Sequence, residues 1–490
     1  MDRTVGNTPI NVASMIGDRE LTGGRPFEVF DPGRLNELVG VVIAASASDV
    51  ESAVSTARGA QVHWAKTTVE ERACLVGRAA SEMGEIHNLA ALMTREGGSI
   101  LSISHSELAG AAAVMGHASD AAVALLSKNR SFADSTSSVS IGTRPYGVVA
   151  CIVPWNAPVV LTMQKVAPAV VAGNAVIVKP SPYAPLAVSV ILRRFAEIFP
   201  PGVINVIHGD SDVGSALISH PSVRKISFTG GAETAKAIMR SAAQSLTRVH
   251  FELGGNDPAL VLDDADLDFT VDRIASQAFR RAGQVCYAVK RVYVPRRLEQ
   301  DFNELLVKRI GRIRVGHGID PNTDMGPLNN QAQFAKISAH HARLAQSGAN
   351  VHTGGVRLSP DEWDNGYYLQ PAIVLGADPA DEIVTEEQFG PILPVVAYDA
   401  ESEALAMANS TEYGLSASVW SSDEDRAVAF ASQIEAGMTM VNGHSLSMLG
   451  RKEIPFGGTK QSGMGWENSA YGLQEFVEFH STDIHRRLEN

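Results

Sequence analysis

Cysteine is scarce in this chain, with Cys74, Cys151 and Cys286 the only three in 490 residues. So few, so far apart, exclude a disulfide framework and suit a reducing compartment. They form no CxxC pair, and no HExxH string occurs, so no metal site is expected. Positive charge is also short. Lys and Arg number 41 against 54 Asp and Glu, a net charge of −13. A nucleic-acid binder gathers cations along one face, so neither nucleic acid nor an anionic membrane is an expected partner. Long hydrophobic runs are missing as well: the apolar stretches near 147–153 and 166–172 are far shorter than a membrane span. The opening MDRTVGNTPINVAS has no apolar signal-peptide core. Neither GxGxxG nor the Walker pattern occurs, so any dinucleotide must bind by a variant route. A cytoplasmic globular protein of about three structural units is expected, large enough to bury its cores without staples.

What is present is strand–helix alternation. Residues 1–46 read as irregular and short-strand material. Ser48-Asp49-Val50-Glu51 and Thr68-Val69-Glu70-Glu71 fit the capping box, and Ala-rich helices follow to about residue 125. The stretch 137–144 reads as an exposed strand. From Val148 onward, VVACIVP, NAVIVKP, VINVIH, KISFTG and VHFEL are short β-branched runs separated by helical stretches, the pattern of βαβ units and a parallel sheet. A second α/β block follows Gly254-Gly255. In it RVYVP leads into a helix with Leu298, Phe302, Leu305, Leu306 and Ile310 on one face, and LSASVWS and MTMVN flank another helix. The tail QEFVEFHSTDIH alternates like a strand. The His340-His341 doublet reads as a solvated helix face.

Three residues stand out chemically. Cys286 follows Gly283-Gln284-Val285, a poor core sequence that suggests a turn presenting a thiol. Cys74 and Cys151 read instead as packing residues. Glu252 ends an apolar strand beside a glycine turn, where α/β proteins open their ligand crevice. Asn156, between Pro154-Trp155 and Pro158, offers a rigid amide donor for a developing oxyanion.

Several short motifs occur in one order. They are Pro154-Trp155-Asn156-Ala157-Pro158, Lys179-Pro180-Ser181, Phe228-Thr229-Gly230, Glu252-Leu253-Gly254-Gly255, Gly283-Gln284-Val285-Cys286, Glu387-Gln388-Phe389-Gly390-Pro391 and Pro455-Phe456-Gly457-Gly458-Thr459-Lys460-Gln461-Ser462-Gly463. Their order and spacing resemble the aldehyde dehydrogenase superfamily over nearly the whole chain, and Glu252 precedes Cys286 by the family's interval. The resemblance implies an α/β fold of two parallel-sheet domains plus a β oligomerisation extension. The cofactor domain would comprise 1–124 and 146–252, the catalytic domain 253–445, and the oligomerisation strands and C-terminal segment 125–145 and 446–490. A homodimer or homotetramer would follow, its partner subunit covering strand edges at 137–144 and in the tail.

The resemblance also implies roles. Cys286 matches the nucleophile, Glu252 the base that activates water, and Asn156 the oxyanion amide. Lys165 and Glu467 match supporting residues of a water relay. For NAD or NADP, with NAD favoured, Lys179 matches the residue that bonds the adenosine ribose, beside Trp155, Ser181 and Pro182. Phe228, Thr229, Gly230 and Gly231 lead into the pyrophosphate helix. Leu253, Glu387 and Phe389 match the nicotinamide side. The substrate tunnel would be walled by Ala157, Val160, Leu161, Gln164, Val285, Tyr287 and Phe456, with Arg280 as a cation near its mouth and Leu446, Met448 and Leu449 adding little bulk. The implied function is NAD(P)-dependent oxidation of an aldehyde, aromatic or medium-chain, to its acid. The alternatives are a CoA-acylating semialdehyde dehydrogenase, against which Glu252 argues, and a noncatalytic dinucleotide-binding protein on the same fold. The chain departs from the family pattern at several positions. Pro182 stands where NAD-preferring members carry Glu, Gly231 where Ser is usual, and Ala235 where Gly is usual. Arg281 replaces a common Asn, Arg280 an apolar residue, and Trp466 an Arg.

Overall fold

The computed structural model describes residues 8–127, 129–134, 136–445 and 452–485. Leu446, Met448 and Leu449 therefore lie outside the described residues, as do Met1–Asn7 of the N-terminal stretch and the last residues of the tail. The five β-branched runs form parallel strands Val148–Ile152, Ala175–Lys179, Ile204–Val206, Val223–Thr229 and Arg248–Glu252. In space the order runs from 248–252 through 223–229, 148–152 and 175–179 to 204–206, with short antiparallel strands at both edges. The order reverses between 148–152 and 223–229, which is where such sheets open a crevice. Register aligns Ile152 with both Phe228 and Lys179, and Thr229 with Glu252. The carboxyl ends of these strands thus form one rim.

The second sheet holds six parallel strands with antiparallel Asn350–Thr353 at its edge. Its order runs through Ala372–Leu375, Ile392–Tyr398, Val289–Pro295, Asp257–Val261, Ser416–Trp420 and Met438–Val441. Phe302, Leu306 and Ile310 bury the inner face of helix Glu299–Ile310 against it, with Leu298 and Leu305 packed beside them. Each sheet carries its own apolar core. Chain crosses between them twice: Glu252-Leu253-Gly254-Gly255 leads from the first sheet into the second, and strand Gly463–Met464 returns to pair with Arg248–Glu252.

Several local expectations change. Helix Ala47–Trp64 is capped by Ser46, two residues before the anticipated Ser48. Asp49 reaches back to the Ser46 N–H at 2.8 Å, so Asp replaces Glu in the box. Thr68 and Glu71 cap helix Val69–Gly84 as expected. Cys151 is buried, but Cys74 lies on the exposed face of its helix rather than in packing. His340 is buried and its Nδ1 accepts from Arg343, so the doublet is not a solvated face. Strands Ser137–Pro145 and Val477–His485 exist as read, yet they pair with each other along nine residues. One edge of each is therefore satisfied within the chain, and Arg130–Ala133 covers the other edge of the first.

Helix Leu101–Leu126 is long and apolar enough to cross a membrane by length and composition, unlike the runs singled out from sequence. Here it packs against helices Val69–Gly84 and Pro158–Val171, with Ser104, Glu107, Gly110 and Val114 buried on one face.

Candidate active site

Cys286 sits in a loop that only an unusual backbone allows. Arg281 and Ala282 take left-handed conformations (φ +52° and +54°), followed by Gly283 at φ +75°. A Cβ on Gly283 would stand 2.1 Å from the Gly390 carbonyl, so this loop and the Phe389-Gly390 turn touch through backbone alone. The loop is stitched on several sides. Buried Lys290 donates to the Gly283 carbonyl at 2.6 Å. The Gln284 side chain donates to the Arg281 carbonyl at 2.9 Å and accepts from the Asn329 N–H at 3.0 Å.

The glycine turn after Glu252 brings the pieces together. A Cβ on Gly254 would meet Glu387 Oε2 at 2.2 Å, and one on Gly255 would meet the Cys286 carbonyl at 2.7 Å. The Gly255 N–H donates to Glu387 Oε1 at 3.3 Å. Burial, then the charges of Glu252, Asp257 and Glu387, push the Cys286 thiol far above its ordinary range. The thiol is therefore protonated until a base takes its proton.

Glu252 is 3% exposed, and neither carboxyl oxygen has a protein partner. Burial, then Glu467, holds this carboxyl well above the usual carboxylate range, against the opposing pull of Lys165. Lys165 lies on helix Pro158–Val171 and its Nζ meets Glu467 Oε1 at 2.5 Å, both groups buried. His250, two residues before Glu252 and on the same face, holds Nε2 3.6 Å from Glu252 Oε1. Neither His250 nor its pairing was singled out from the sequence, although period-two spacing in VHFEL carries the signal.

Asn156 follows strand Val148–Ile152, and Pro158 opens the next helix at its first turn. Its Nδ2 donates to the Gln284 carbonyl at 3.0 Å, leaving the second amide hydrogen available. Arg281 supports it, donating to the Asn156 carbonyl and to Ser99 Oγ, each at 2.7 Å, and pairing with Glu107. Glu107 in turn accepts from the Val159 and Val160 N–H groups at 2.8 and 3.2 Å. Glu107 had no local motif to reveal it. Arg281 was visible only as a departure.

A cavity of roughly 120 Å³ of water-accessible space opens onto Cys286 and Asn156. Among the described residues, all those expected to wall the substrate tunnel line it: Ala157, Val160, Leu161, Gln164, Arg280, Val285, Tyr287 and Phe456. Tyr287 and Phe456 meet edge to face at 5.8 Å. Helix Leu101–Leu126 adds Ser106, Glu107, Gly110 and Val114, and Arg281 and Asn468 complete the wall. Asn468 accepts from Gln164 Nε2 at 3.2 Å, while Gln164 Oε1 is buried without a partner.

The residues expected to hold a dinucleotide lie along the rim of the first sheet. Lys179 ends its strand, 8% exposed, with its ammonium pKa lowered by burial against the counter-pull of Asp210. Ser181 Oγ accepts from the Tyr183 N–H, and Pro182 lies half-buried beside it. Phe228 and Thr229 close strand Val223–Thr229, and the Thr229 hydroxyl is buried without a partner. Gly230-Gly231 leads into helix Ala232–Ala243, whose N-terminus has no side-chain cap and whose Gly231 faces open space. An uncapped helix N-terminus and the orphaned Thr229 hydroxyl just before it fit a pyrophosphate-bearing cofactor. At the other end, Trp155 and Phe389 meet edge to face at 5.5 Å, beside Glu387. The Leu253 N–H donates to the Ser462 carbonyl at 2.9 Å.

The chain matches the aldehyde dehydrogenase family model over residues 20–482. A betaine aldehyde dehydrogenase from Staphylococcus aureus, solved with NAD+, is 31% identical with a TM-score of 0.91, covering 96% of this chain and 94% of that one. A mutant aldehyde dehydrogenase C from Pseudomonas syringae, solved with NAD+ and octanal, is 33% identical with a TM-score of 0.89, covering 96% of each chain. A nucleophile loop, a buried carboxylate and an amide donor gathered where two parallel sheets meet agree with that likeness: this chain belongs to the aldehyde dehydrogenase family and is an NAD(P)-dependent aldehyde dehydrogenase.

Proposed function

We propose that the enzyme oxidises an aromatic or medium-chain aldehyde to the carboxylic acid through a thioester on Cys286, with water as the acyl acceptor. The observation that carries this reading is the meeting of Cys286 and Asn156 on one cavity, with Glu252 just before the Gly254-Gly255 turn that packs on the Cys286 carbonyl. Cys286 Sγ attacks the aldehyde carbon and its proton passes to a base in the cleft. The oxyanion is held by the free Asn156 amide hydrogen and the Cys286 N–H. NAD(P), when bound along Lys179, Gly230-Gly231, Glu387 and Phe389, supplies the hydride acceptor. Glu252 takes a proton from the water that attacks the thioester, which releases the acid and restores the thiol. A CoA-acylating enzyme has no need of a base for water, so Glu252 favours hydrolysis.

Cys286→Ala should abolish turnover while the cofactor still binds. Glu252→Gln should slow hydrolysis by about 10²–10⁴-fold and spare the first turnover. Rapid mixing should then show a burst of reduced cofactor before a slow steady state. Because the Glu252 carboxyl is raised in the folded protein, its basic form is gained as pH rises. Wild-type hydrolysis should accelerate with pH, and Glu252→Gln should lose that limb. A burst lost together with the steady state would place Glu252 in thiol activation instead.

For the cofactor, NAD is favoured because Lys179 has no second basic residue beside it in sequence to clamp a 2′-phosphate. Selectivity should still be relaxed, since Pro182 supplies no carboxylate to repel that phosphate. Pro182→Glu should raise KM for NADP while sparing NAD, and equal effects on both would refute this account.

For the substrate, the apolar lining of Val160, Leu161, Val285, Tyr287 and Phe456 supports a ring or a medium chain. The octanal bound to the Pseudomonas enzyme supports a medium chain here. Benzaldehyde or octanal should exceed acetaldehyde in kcat/KM, each buried methylene adding about 0.8 kcal/mol. Ala157→Phe should narrow or reverse that order by filling the space beside Asn156. Unchanged ranking would remove the pocket model.

A homodimer or homotetramer is also proposed. Phe132, Phe479 and Ile484 project from the sheet that holds Ser137–Pro145, each more than half exposed. Light scattering should give twice or four times the chain mass, and a monomer would exclude it.

A further inference from the structure

We infer that His250 is the positioning residue for Glu252, holding its carboxyl in place in both protonation states; this rests on the hydrolytic reading above. Glu252 Oε1 and Oε2 and His250 Nε2 are all buried without a hydrogen-bond partner. They face each other on one side of a strand, 3.6 Å apart at the nearest pair. Three orphaned polar atoms in one place are costly unless they serve one another. The remaining ring nitrogen, Nδ1, is 2.9 Å from Ser227 Oγ, and Ser227 is the register partner of His250 on the neighbouring strand.

Imidazole and hydroxyl together can serve a base that changes state. When Glu252 is ionised, Ser227 donates to Nδ1 and Nε2–H donates to the carboxylate. When Glu252 has taken the proton from water on its other oxygen, the carbonyl oxygen that remains still accepts from Nε2–H, and Ser227 still donates to Nδ1. Both arrangements keep a neutral ring and the same heavy-atom positions. A charged ring is opposed here. Burial and the two facing ammonium groups, Lys165 on helix Pro158–Val171 and Lys225 on strand Val223–Thr229, push the His250 pKa well down. Of the facing carboxylates besides Glu252, Glu467 pairs through Oε1 with Lys165 and Glu475 with Lys225, while Glu467 Oε2 is buried without a partner. The pair His250–Ser227 thus gives Glu252 a partner without adding a charge beside Cys286.

The test compares His250→Leu, His250→Gln and Ser227→Ala with wild type, using octanal or benzaldehyde and NAD without CoA. First-turnover rate is read by rapid mixing, and acyl-enzyme by intact mass after quenching at steady state. His250→Leu should keep the first turnover, slow the steady state by about tenfold or more, as expected for one hydrogen bond to a charged group, and accumulate acyl-enzyme. His250→Gln, with a donor and an acceptor of similar reach, should restore hydrolysis. Ser227→Ala should accumulate acyl-enzyme to a smaller extent, and it decides the matter if His250→Leu does not fold. Steady-state turnover within twofold of wild type, or equal slowing of both phases, would overturn the assignment. If wild type forms no acid without CoA, the hydrolytic reading fails instead.

Discussion

The cleft depends on one steric constraint: backbone must approach backbone and carboxylate where the two sheets meet. At Gly254 and Gly255 no side chain fits, because Glu387 and the Cys286 carbonyl occupy the space a Cβ would take. At Gly283 the Gly390 carbonyl does the same. These contacts bring the end of one sheet, carrying Glu252, against the loop of the other, carrying Cys286. Any larger residue there would push Glu387, the Cys286 carbonyl or the Gly390 carbonyl aside.

Around that junction the protein buries several charges. Lys165 with Glu467, Arg281 with Glu107, and Lys225 with Glu475 are each paired and largely withdrawn from water. Unpaired buried charges would be expensive, whereas paired ones hold their neighbours at fixed places. Arg281 and Glu107 set the start of helix Pro158–Val171 and hence Asn156. Lys165 and Glu467 set the potential that Glu252 feels. Besides Asp257 and Glu387, two groups of the proposed chemistry, Glu252 and the Cys286 thiol, have raised pKa values in the midst of this order. In the proposed reaction both exchange protons, and a dry, pre-arranged surrounding makes those exchanges sensitive to small changes of position.

Much of this was legible in the chain itself. The β-branched runs, their spacing and the glycine-ended motifs report strands and turns through local chemistry: Cβ branching favours a pleat, and missing Cβ atoms permit left-handed or crowded backbone. Cys286, Glu252 and Asn156 stand beside such turns, so their motifs carry them. Ala157, Val160, Leu161 and Gln164, which line the cavity, follow from register with the family along the helix after Asn156. Local rules misled where long-range packing decides: the buried side of His340, the exposed side of Cys74, and the pairing of Ser137–Pro145 with Val477–His485.

Tertiary structure alone decided the rest. Glu107 is one acidic residue in an Ala-rich helix, with nothing nearby in sequence to mark it, and it matters because the fold sets it against Arg281 and a helix start. His250 becomes a neighbour of the base through strand periodicity, but its Ser227 partner comes from register between strands that helix Ala232–Ala243 separates in sequence. Sequence by itself determined the chemistry available, since reactive side chains and the backbone freedom around them are local properties. Which polar groups lost water, and which found partners, depended on how the sheets closed over them, because desolvation and pairing are properties of the packed interior.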